Sequence, residues 1–471
     1  MIALSLAEIA EVVGGQTHDI PDPSVQVTGP VVRDSREVEP GSLFVAFVGE
    51  RVDGHDYAAA VVEAGAAAVL ASRPVGVPAI VVDDVQTALG ALARHVVRKL
   101  GTTLVALTGS AGKTSTKDLI AQVLRSKAPT VWTPGSFNNE IGLPLTALSA
   151  TEETRFLVLE MGARGIGHIR YLTELTPPKV GLVLNVGTAH IGEFGGREQI
   201  AQAKGELVEA LPAASEGGAA ILNADDPLVR AMASRTKAKV ILFGESDEAD
   251  VRAENVALTD AGQPVFRLHT PSGASDVTMR LYGEHHVSNA LAAAAVAHEL
   301  GMSAEEIATA LSEAGSLSRW RMEVTERPDG VTVVNDAYNA NPESMRAALR
   351  ALAAMGKGRR TWAVLGKMAE LGDEALAEHD AVGRLAVRLN VGKLVAVGGR
   401  EASWLQLGAY NEGSWGEESV HVSDAQAAID LLRSELRPGD VVLVKASRSV
   451  GLESVAQALL ETGAEGEVAA R

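Results

Sequence analysis

The stretch TLVALTGSAGKTSTK, residues 103–117, constrains the fold more than any other part of the chain. An aliphatic, β-branched run over 104–107 ends at Gly109 and Gly112, and Lys113, Thr114 and Ser115 then open a helical segment. A strand that turns through glycines into a helix lets the backbone wrap a phosphate closely. The N–H groups of Gly109, Ser110, Ala111 and Gly112, with the helix N-terminus behind them, aim positive charge at that anion. Lys113 adds a mobile ammonium, and Thr114 supplies the hydroxyl that such loops place on Mg²⁺. The common phosphate loop reads GxxxxGK[ST], whereas only Ser110 and Ala111 separate the glycines here. A surface lysine after an ordinary turn has the same letters. The strand before and the helix after argue instead for a nucleotide-phosphate site. The stretch does not say which chemistry that site serves.

The chain has 471 residues, beyond the roughly 250–300 at which single cores stop growing, so several domains are expected. The formal net charge is −18, with no tract dense in Lys or Arg. That argues against nucleic acid or an anionic membrane as partner, and anionic substrates would need locally basic pockets. The chain has no cysteine, hence no disulfide, thiolate metal site or catalytic thiol. This fits a reducing compartment, and a cytoplasmic location is expected. The N-terminus has no basic start or small-residue cleavage site and is interrupted by Glu8 and Glu11, so no signal peptide is expected. No uncharged apolar run reaches membrane-spanning length.

Three units follow in order. Residues 1–100 hold a helical run over 4–13 that Ser5 can cap, then short β-like runs around a turn-rich segment, DSREVEPGSLFVAFVGERVDGHDY, at 34–57. In it, Arg36 beside Ser35 is a candidate diphosphate clamp, although a loop arginine is by itself most often solvated. Residues 101–315 alternate strand-like runs at 104–107, 156–159, 180–186, 219–222 and 240–243 with helical stretches. This α/β pattern predicts a mostly parallel central sheet with helices on both faces and ligands beyond the strands' carboxyl ends. Residues 251–281 alternate like antiparallel strands, and GEHHVSNALAAAAVAHELG then reads as a helix with Asn289 near its start. Residues 316–471 repeat the alternation as a second, Rossmann-like α/β sheet.

Polar residues gather where such sheets bind ligands. Glu160 ends the run FLVLE, the position for a Mg²⁺ ligand beside a phosphate loop. His190, in NVGTAHIGEFGG, sits after the next strand and can ligate or hydrogen-bond there. Lys204, in AQAKGEL, looks on its own like a lysine on a helix face. Asn335, Asp336, Tyr338 and Asn339 crowd a strand end in the third unit, although Asn and Asp are also common turn formers. KASRSVG, at 445–451, places two cations between strand and helix.

Taken together, TGSAGKTSTK, FNNEIGLPLT, LEMG, NVGTAHIGEFG, KGEL, HHVSNALAAA, NDAYNANPESM, MAELG and VLVKASRSVGLE closely resemble the Mur ligase family, from near the start of the chain to KASRSVG. The flavour is that of the member adding D-alanyl-D-alanine to UDP-N-acetylmuramoyl-tripeptide. The sibling that adds a diamino acid shares DSR…PGSLFVA but carries an asparagine–proline–arginine motif absent here.

The resemblance implies an ATP-dependent amide ligase of peptidoglycan precursor synthesis, acting through an acyl phosphate. Its three domains would be a UDP-sugar domain (1–100), an ATP domain (101–315) and a dipeptide domain (316–471), and a monomer is expected. By matching position, Lys113 would bind the β- and γ-phosphates. Thr114 and Glu160 would hold one Mg²⁺, and His190 with a carbamylated Lys204 would hold a second. Asn289, Asn335 and Asp336 would approach the adenosine, Ser35 and Arg36 the uridine diphosphate, and Asn138 and Asn139 the shared cleft. Lys367 and His286 depart from the family pattern, which has an acidic residue and an asparagine there. Rival readings are a sibling ligase adding one amino acid, a P-loop kinase, and a nucleotide-binding module without turnover.

Overall fold

The computed structural model describes residues 1–188 and 191–468, with side chains from 1 to 188 and from 192 to 461. Among the described residues three large sheets organise it, one per domain, with a two-stranded pair of Leu4–Ser5 and Gln26–Val27 beside the first. The first has five strands, Gln16–His18, Val31–Val32, Leu43–Val45, Ala68–Ala71 and Ala79–Val81, of which only Gln16–His18 pairs antiparallel. The helix Leu6–Val13 beside it begins at Ser5, whose hydroxyl accepts from Glu8 N at 3.1 Å, and stops at Gly14 with φ +64°.

The central sheet has nine strands. Thr103–Thr108 lies inside it, parallel to Phe156–Glu160 on one side and Val180–Val183 on the other. The parallel run continues through Ala219–Asn223 and Lys239–Gly244 to Val251–Leu258. Pro264–Thr270 and Gly273–Thr278 then extend that edge antiparallel, as the alternation over 251–281 predicts. The interior strands are uniformly apolar because helices cover both faces. On one face the helix His285–Glu299 packs against Lys113–Arg125, and its unbroken run of buried alanines lets the two backbones approach.

The third sheet has six strands. Thr332–Asn335, Val441–Lys445, Thr361–Leu365, Lys393–Val397 and Ser419–Val422 are parallel, and Glu323–Glu326 closes the edge antiparallel.

The domains are joined unequally. The helix Val85–Leu100 buries Leu89, Leu92 and Val96 in one continuous core with Leu70 and Ile80 of the first sheet and Leu104, Leu157 and Val183 of the central sheet. The third domain buries its own clusters, around Met345, Leu365 and Leu443 and around Trp362, Val444 and Leu459, with no buried residue of the central sheet among them. It meets the rest mainly through polar contacts around a cleft. Among the described residues, no helix is long and apolar enough to cross a membrane.

Candidate active site

The cleft, of ≈ 920 Å³, opens at the carboxyl ends of the central strands, with the third domain forming its opposite wall. Its floor is the phosphate loop. The helix Lys113–Arg125 starts after Gly112, whose φ of +79° and distance of 2.7 Å from a would-be Cβ to Asn289 Oδ1 leave no room for a side chain. Asn185, beyond the end of the strand Val180–Val183, shapes the loop. Its Oδ1 accepts from Ser110 N and Ala111 N, each at 2.9 Å, and its Nδ2 donates to Ala111 O at 3.1 Å. Lys113 Nζ lies 2.8 Å from Gly109 O, folded across the loop.

Glu160 ends its strand buried beside this floor. Its backbone N donates to Thr133 Oγ1 at 3.1 Å, and Asn138 Nδ2 donates to its Oε1 at 2.7 Å. Its Oε2 is buried without a partner, as is Ser110 Oγ. A carboxylate oxygen held out of water with nothing to accept is costly unless a cation or donor arrives. With the buried Thr114 hydroxyl nearby, these oxygens fit a hard cation that keeps its other ligands from phosphate and water. Among the described residues no three His, Asp or Glu form an all-protein metal cage. An ion shared with phosphates does not need one.

Lys204, on the helix Arg197–Glu209, is buried and lines the same cleft. Burial pushes its ammonium pKa well below the ordinary lysine range, and the Lys113 charge pushes it further. Among the described residues its Nζ has neither a carboxylate nor a hydrogen-bond acceptor. A buried amine biased toward neutrality is what carbamylation requires, since the free amine attacks carbon dioxide.

The opposite wall arrives from far along the chain. Arg321 Nη2 donates to Thr114 Oγ1 at 3.2 Å, and its guanidinium lies 4.2 Å from the Tyr338 ring centroid. Tyr338 OH hydrogen-bonds Ser136 Oγ across the cleft. Trp320 and Met322, on either side of Arg321, have φ of +59° and +50°, a strained kink that aims the arginine at the phosphate loop. Asp336 Oδ1 accepts from Met322 N at 3.1 Å, and its Oδ2 accepts from the buried Lys445 Nζ at 2.6 Å. Lys445 also donates to Asn339 O at 2.8 Å. Arg33, Lys113, Arg164, Arg321 and Lys445 thus concentrate cations on a cleft in an acidic chain.

The cleft gathers Ser110, Ala111, Gly112, Lys113, Thr114, Ser115, Asn138, Asn139, Glu160, Lys204, Asn289 and Asp336. Gly109 lies just behind as the carbonyl that Lys113 meets. Asn335 does not line it, and its Oδ1 accepts from Ala337 N at 3.2 Å as a turn former. Ser35 and Arg36 also lie off the lining, on a 3-10 turn. Arg36 forks onto Asp34 at 2.6 and 2.9 Å and its side chain is 86% exposed, while neighbouring Arg33 faces the cleft. His190 lies outside the described residues. Lys367 pairs with Glu401 at 2.7 Å, and His286 is buried with both ring nitrogens unpartnered, neither on the lining. Sequence reasoning missed Arg33, Arg321, Asn341 and Glu343. The arginine pair in LSRWRMEV was a signal for Arg321, and NDAYNANPESM already carried Asn341 and Glu343.

Three family models match the chain: the Mur ligase family catalytic domain over 31–97, the Mur ligase middle domain over 107–297, and the Mur ligase glutamate ligase domain over 320–448. A UDP-N-acetylmuramoyl-tripeptide–D-alanyl-D-alanine ligase from Mycobacterium tuberculosis is 51% identical, covering 99% of this chain and 100% of that protein. A MurF crystal structure from Acinetobacter baumannii superposes with a TM-score of 0.87 at 33% identity, covering 98% of this chain and 99% of that one. A MurF ligase from Thermotoga maritima in complex with ADP has a TM-score of 0.80 at 30% identity, covering 93% and 99%.

Proposed function

This chain belongs to the Mur ligase family, and on that premise we propose that it joins D-alanyl-D-alanine to UDP-N-acetylmuramoyl-tripeptide, with ATP converted to ADP and phosphate, in peptidoglycan precursor synthesis. The observation that carries this reading is the single cleft in which the phosphate loop, Glu160 with its open oxygen and the depressed-pKa Lys204 face a cationic wall from the third domain. The reading places the enzyme in the cytoplasm, where its nucleotide substrates are.

Residues 1–100 hold the UDP-sugar end, with Ser35, Arg36 and Arg33 at the diphosphate. Residues 101–315 hold ATP, and residues 316–471 bring the dipeptide. Magnesium, when bound, neutralises the crowded phosphate oxygens. Thr114 and Glu160 would hold one ion, and His190 with carbamylated Lys204 a second.

Lys113 swings from Gly109 O to the β- and γ-phosphates, and Arg321 reaches the same phosphates from the third domain. Both cations stabilise charge as the peptide carboxylate attacks the γ-phosphorus and ADP leaves. Asn289 and Asp336 flank the adenosine, with Asn335 buttressing that turn. Asn138 keeps Glu160 aimed inward, and Asn139 caps the next helix by accepting from Gly142 N at 2.9 Å. The dipeptide amine then attacks the acyl phosphate carbonyl through a tetrahedral intermediate that expels phosphate. The seated third domain keeps water from that anhydride.

Phosphate release measured with ATP and UDP-N-acetylmuramoyl-tripeptide, with and without D-alanyl-D-alanine, tests this. Release that needs the dipeptide is expected. Phosphate released without an amine would favour a hydrolase, ADP formed without free phosphate would favour a kinase, and release only with a single amino acid would favour the sibling ligase.

A further inference from the structure

The third domain has its own cores, yet one of its carboxylates reaches a loop of the central domain. Glu343 is the second residue of the helix Pro342–Met355 and lines the cleft. Its Oε1 accepts from Thr188 N at 2.8 Å and from Thr188 Oγ1 at 2.9 Å. Thr188 lies on the loop leaving the strand Val180–Val183, three residues after Asn185, the side chain that shapes the phosphate loop.

The two ends of this short stretch are held from different sides. Asn185 is tied to the phosphate loop, and Val186 N donates to Asp226 Oδ2 at 2.8 Å, both within the central domain. Thr188 gives its backbone and hydroxyl donors to the third domain. Gly187 makes the contact possible, because a Cβ there would sit 2.7 Å from the Glu343 carboxyl. On its own side Glu343 is steadied by Arg346, whose Nη2 lies 3.8 Å from Oε1 and whose Nη1 is 3.1 Å from Glu378 Oε2. A second glycine-cleared approach lies nearby, where a Cβ on Gly192 would be 2.9 Å from Gly372 N.

We infer that Glu343 is a positioning residue: by accepting both Thr188 donors it couples the seating of the third domain to the loop that shapes the phosphate site. With the latch open, both Thr188 donors lose their one acceptor, and the stretch from Asn185 is held from the central-domain side alone. With it closed, the loop is fixed only when the dipeptide-bearing wall is in place. The acyl phosphate then forms where an amine rather than water meets it. This rests on the ligase reading above.

The test compares amide formed with phosphate released, using the full chain, ATP and both peptide substrates. Wild-type enzyme should release about one phosphate per amide, whereas Glu343→Ala should lose about tenfold in amide-forming kcat and release about two or more phosphates per amide. Glu343→Gln keeps an oxygen that can accept from both donors and should restore the ratio. Thr188→Val, which retains only the backbone donor, should fall between. An unchanged ratio in both Glu343→Ala and Thr188→Val, measured on protein with wild-type melting temperature, overturns the latch. So does a raised KM for the dipeptide alone in Glu343→Gln, which would make the carboxylate an amine-binding group. If Glu343→Ala does not fold, Thr188→Val and Glu343→Gln decide the matter. Failure of wild-type enzyme to need the dipeptide would sink the ligase reading itself, a separate result.

Discussion

Lys204 and Lys445 stand on opposite walls of one cleft, both buried and both with ammonium pKa values lowered by burial, but their partners differ. Asp336 opposes the shift at Lys445 by pairing with it, and Asn339 O takes a second hydrogen bond. At Lys204 the one charge acting on the amine among the described residues is another cation, Lys113. A buried lysine with a carboxylate is a strut that orders the turn bearing Asp336. One without a carboxylate is a cost the fold carries, and such costs gather where chemistry needs a reactive form. Around Lys445 the third-domain wall is thus internally satisfied, although Arg321 Nε and Glu343 Oε2 on the same wall are buried without a hydrogen-bond partner. The central wall, with Lys204, Glu160 Oε2 and Ser110 Oγ, is left open to what binds.

The largest effect that would break this contrast is at Lys204. Under the proposed function, in which a carbamate on Lys204 would hold a metal ion beside the reacting phosphate, Lys204→Ala should lose about 10³-fold or more in kcat. Short carboxylic acids should partly restore turnover by supplying the missing carboxylate. Because the substitution removes an unpaired buried amine, urea melts should show no loss of stability. Full activity in Lys204→Ala would remove it from the site. Lys445→Met should behave in the opposite way, leaving Asp336 buried without its counter-charge and lowering unfolding free energy by about 3–5 kcal/mol. Adding Asp336→Asn should recover much of that loss. A Lys445→Met protein as stable as wild type would mean the pair is no strut.

How far each wall could be read from the sequence follows from the same contrast. The phosphate loop was legible because strand, glycines, lysine and helix are contiguous, and their chemistry is local. Glu160 was legible from its place at the end of FLVLE. Lys204 was not, because AQAKGEL is an unremarkable helical segment and only burial beside Lys113 sets this lysine apart. Arg321 reaches Thr114 from more than two hundred residues away, and left-handed Trp320 and Met322, neither a glycine, give no local sign of the kink. Asn335 was read as a ligand contact from the polar density at its strand end and from its match to the family; its side chain turns to its own loop, while that of Asp336 turns to Lys445. For the fold, the alternation of strands and helices carried the three-layer reading. The edge strand Ser419–Val422 and the helix Arg400–Asn411 before it escaped notice, the strand being short and only partly buried.

A smaller effect should appear in the pH dependence of stability. His285 faces the Asp336–Lys445 pair, and burial, reinforced by Lys445 and opposed by Asp336, lowers its pKa to about 4 from 6.5. Above 6.5 the imidazole is neutral in both folded and unfolded chains and contributes no penalty. As pH falls from there, the unfolded chain takes up a proton that the folded one refuses, so stability declines until about pH 4. Urea melts across that window should show a shallower decline in His285→Asn than in wild type. Equal slopes would mean that His285 remains protonatable in the fold, and that the cleft around the Asp336–Lys445 pair is less closed to water than its packing indicates.

The smallest effect separates a held cation from a free one at the outer rim. Arg36 is forked onto Asp34, and its guanidinium holds that carboxyl down to about 2. Arg33 instead lines the cleft, 5.6 Å from the Phe137 ring centroid, with no ion pair among the described residues. Both are assigned to the diphosphate end of the UDP substrate, but Arg36 must first leave Asp34, and its exposed site favours hydration. Arg33→Ala should therefore raise KM for UDP-N-acetylmuramoyl-tripeptide by about tenfold, and Arg36→Ala by only about two- to threefold, with kcat little changed in either. Asp34→Asn, by loosening the fork, should leave KM unchanged or lower it slightly. If Arg36→Ala proves the more damaging, binding must break the Asp34 fork and turn Arg36 inward, so that being paired in the free protein does not mark a cation as structural at this rim as it does at Lys445.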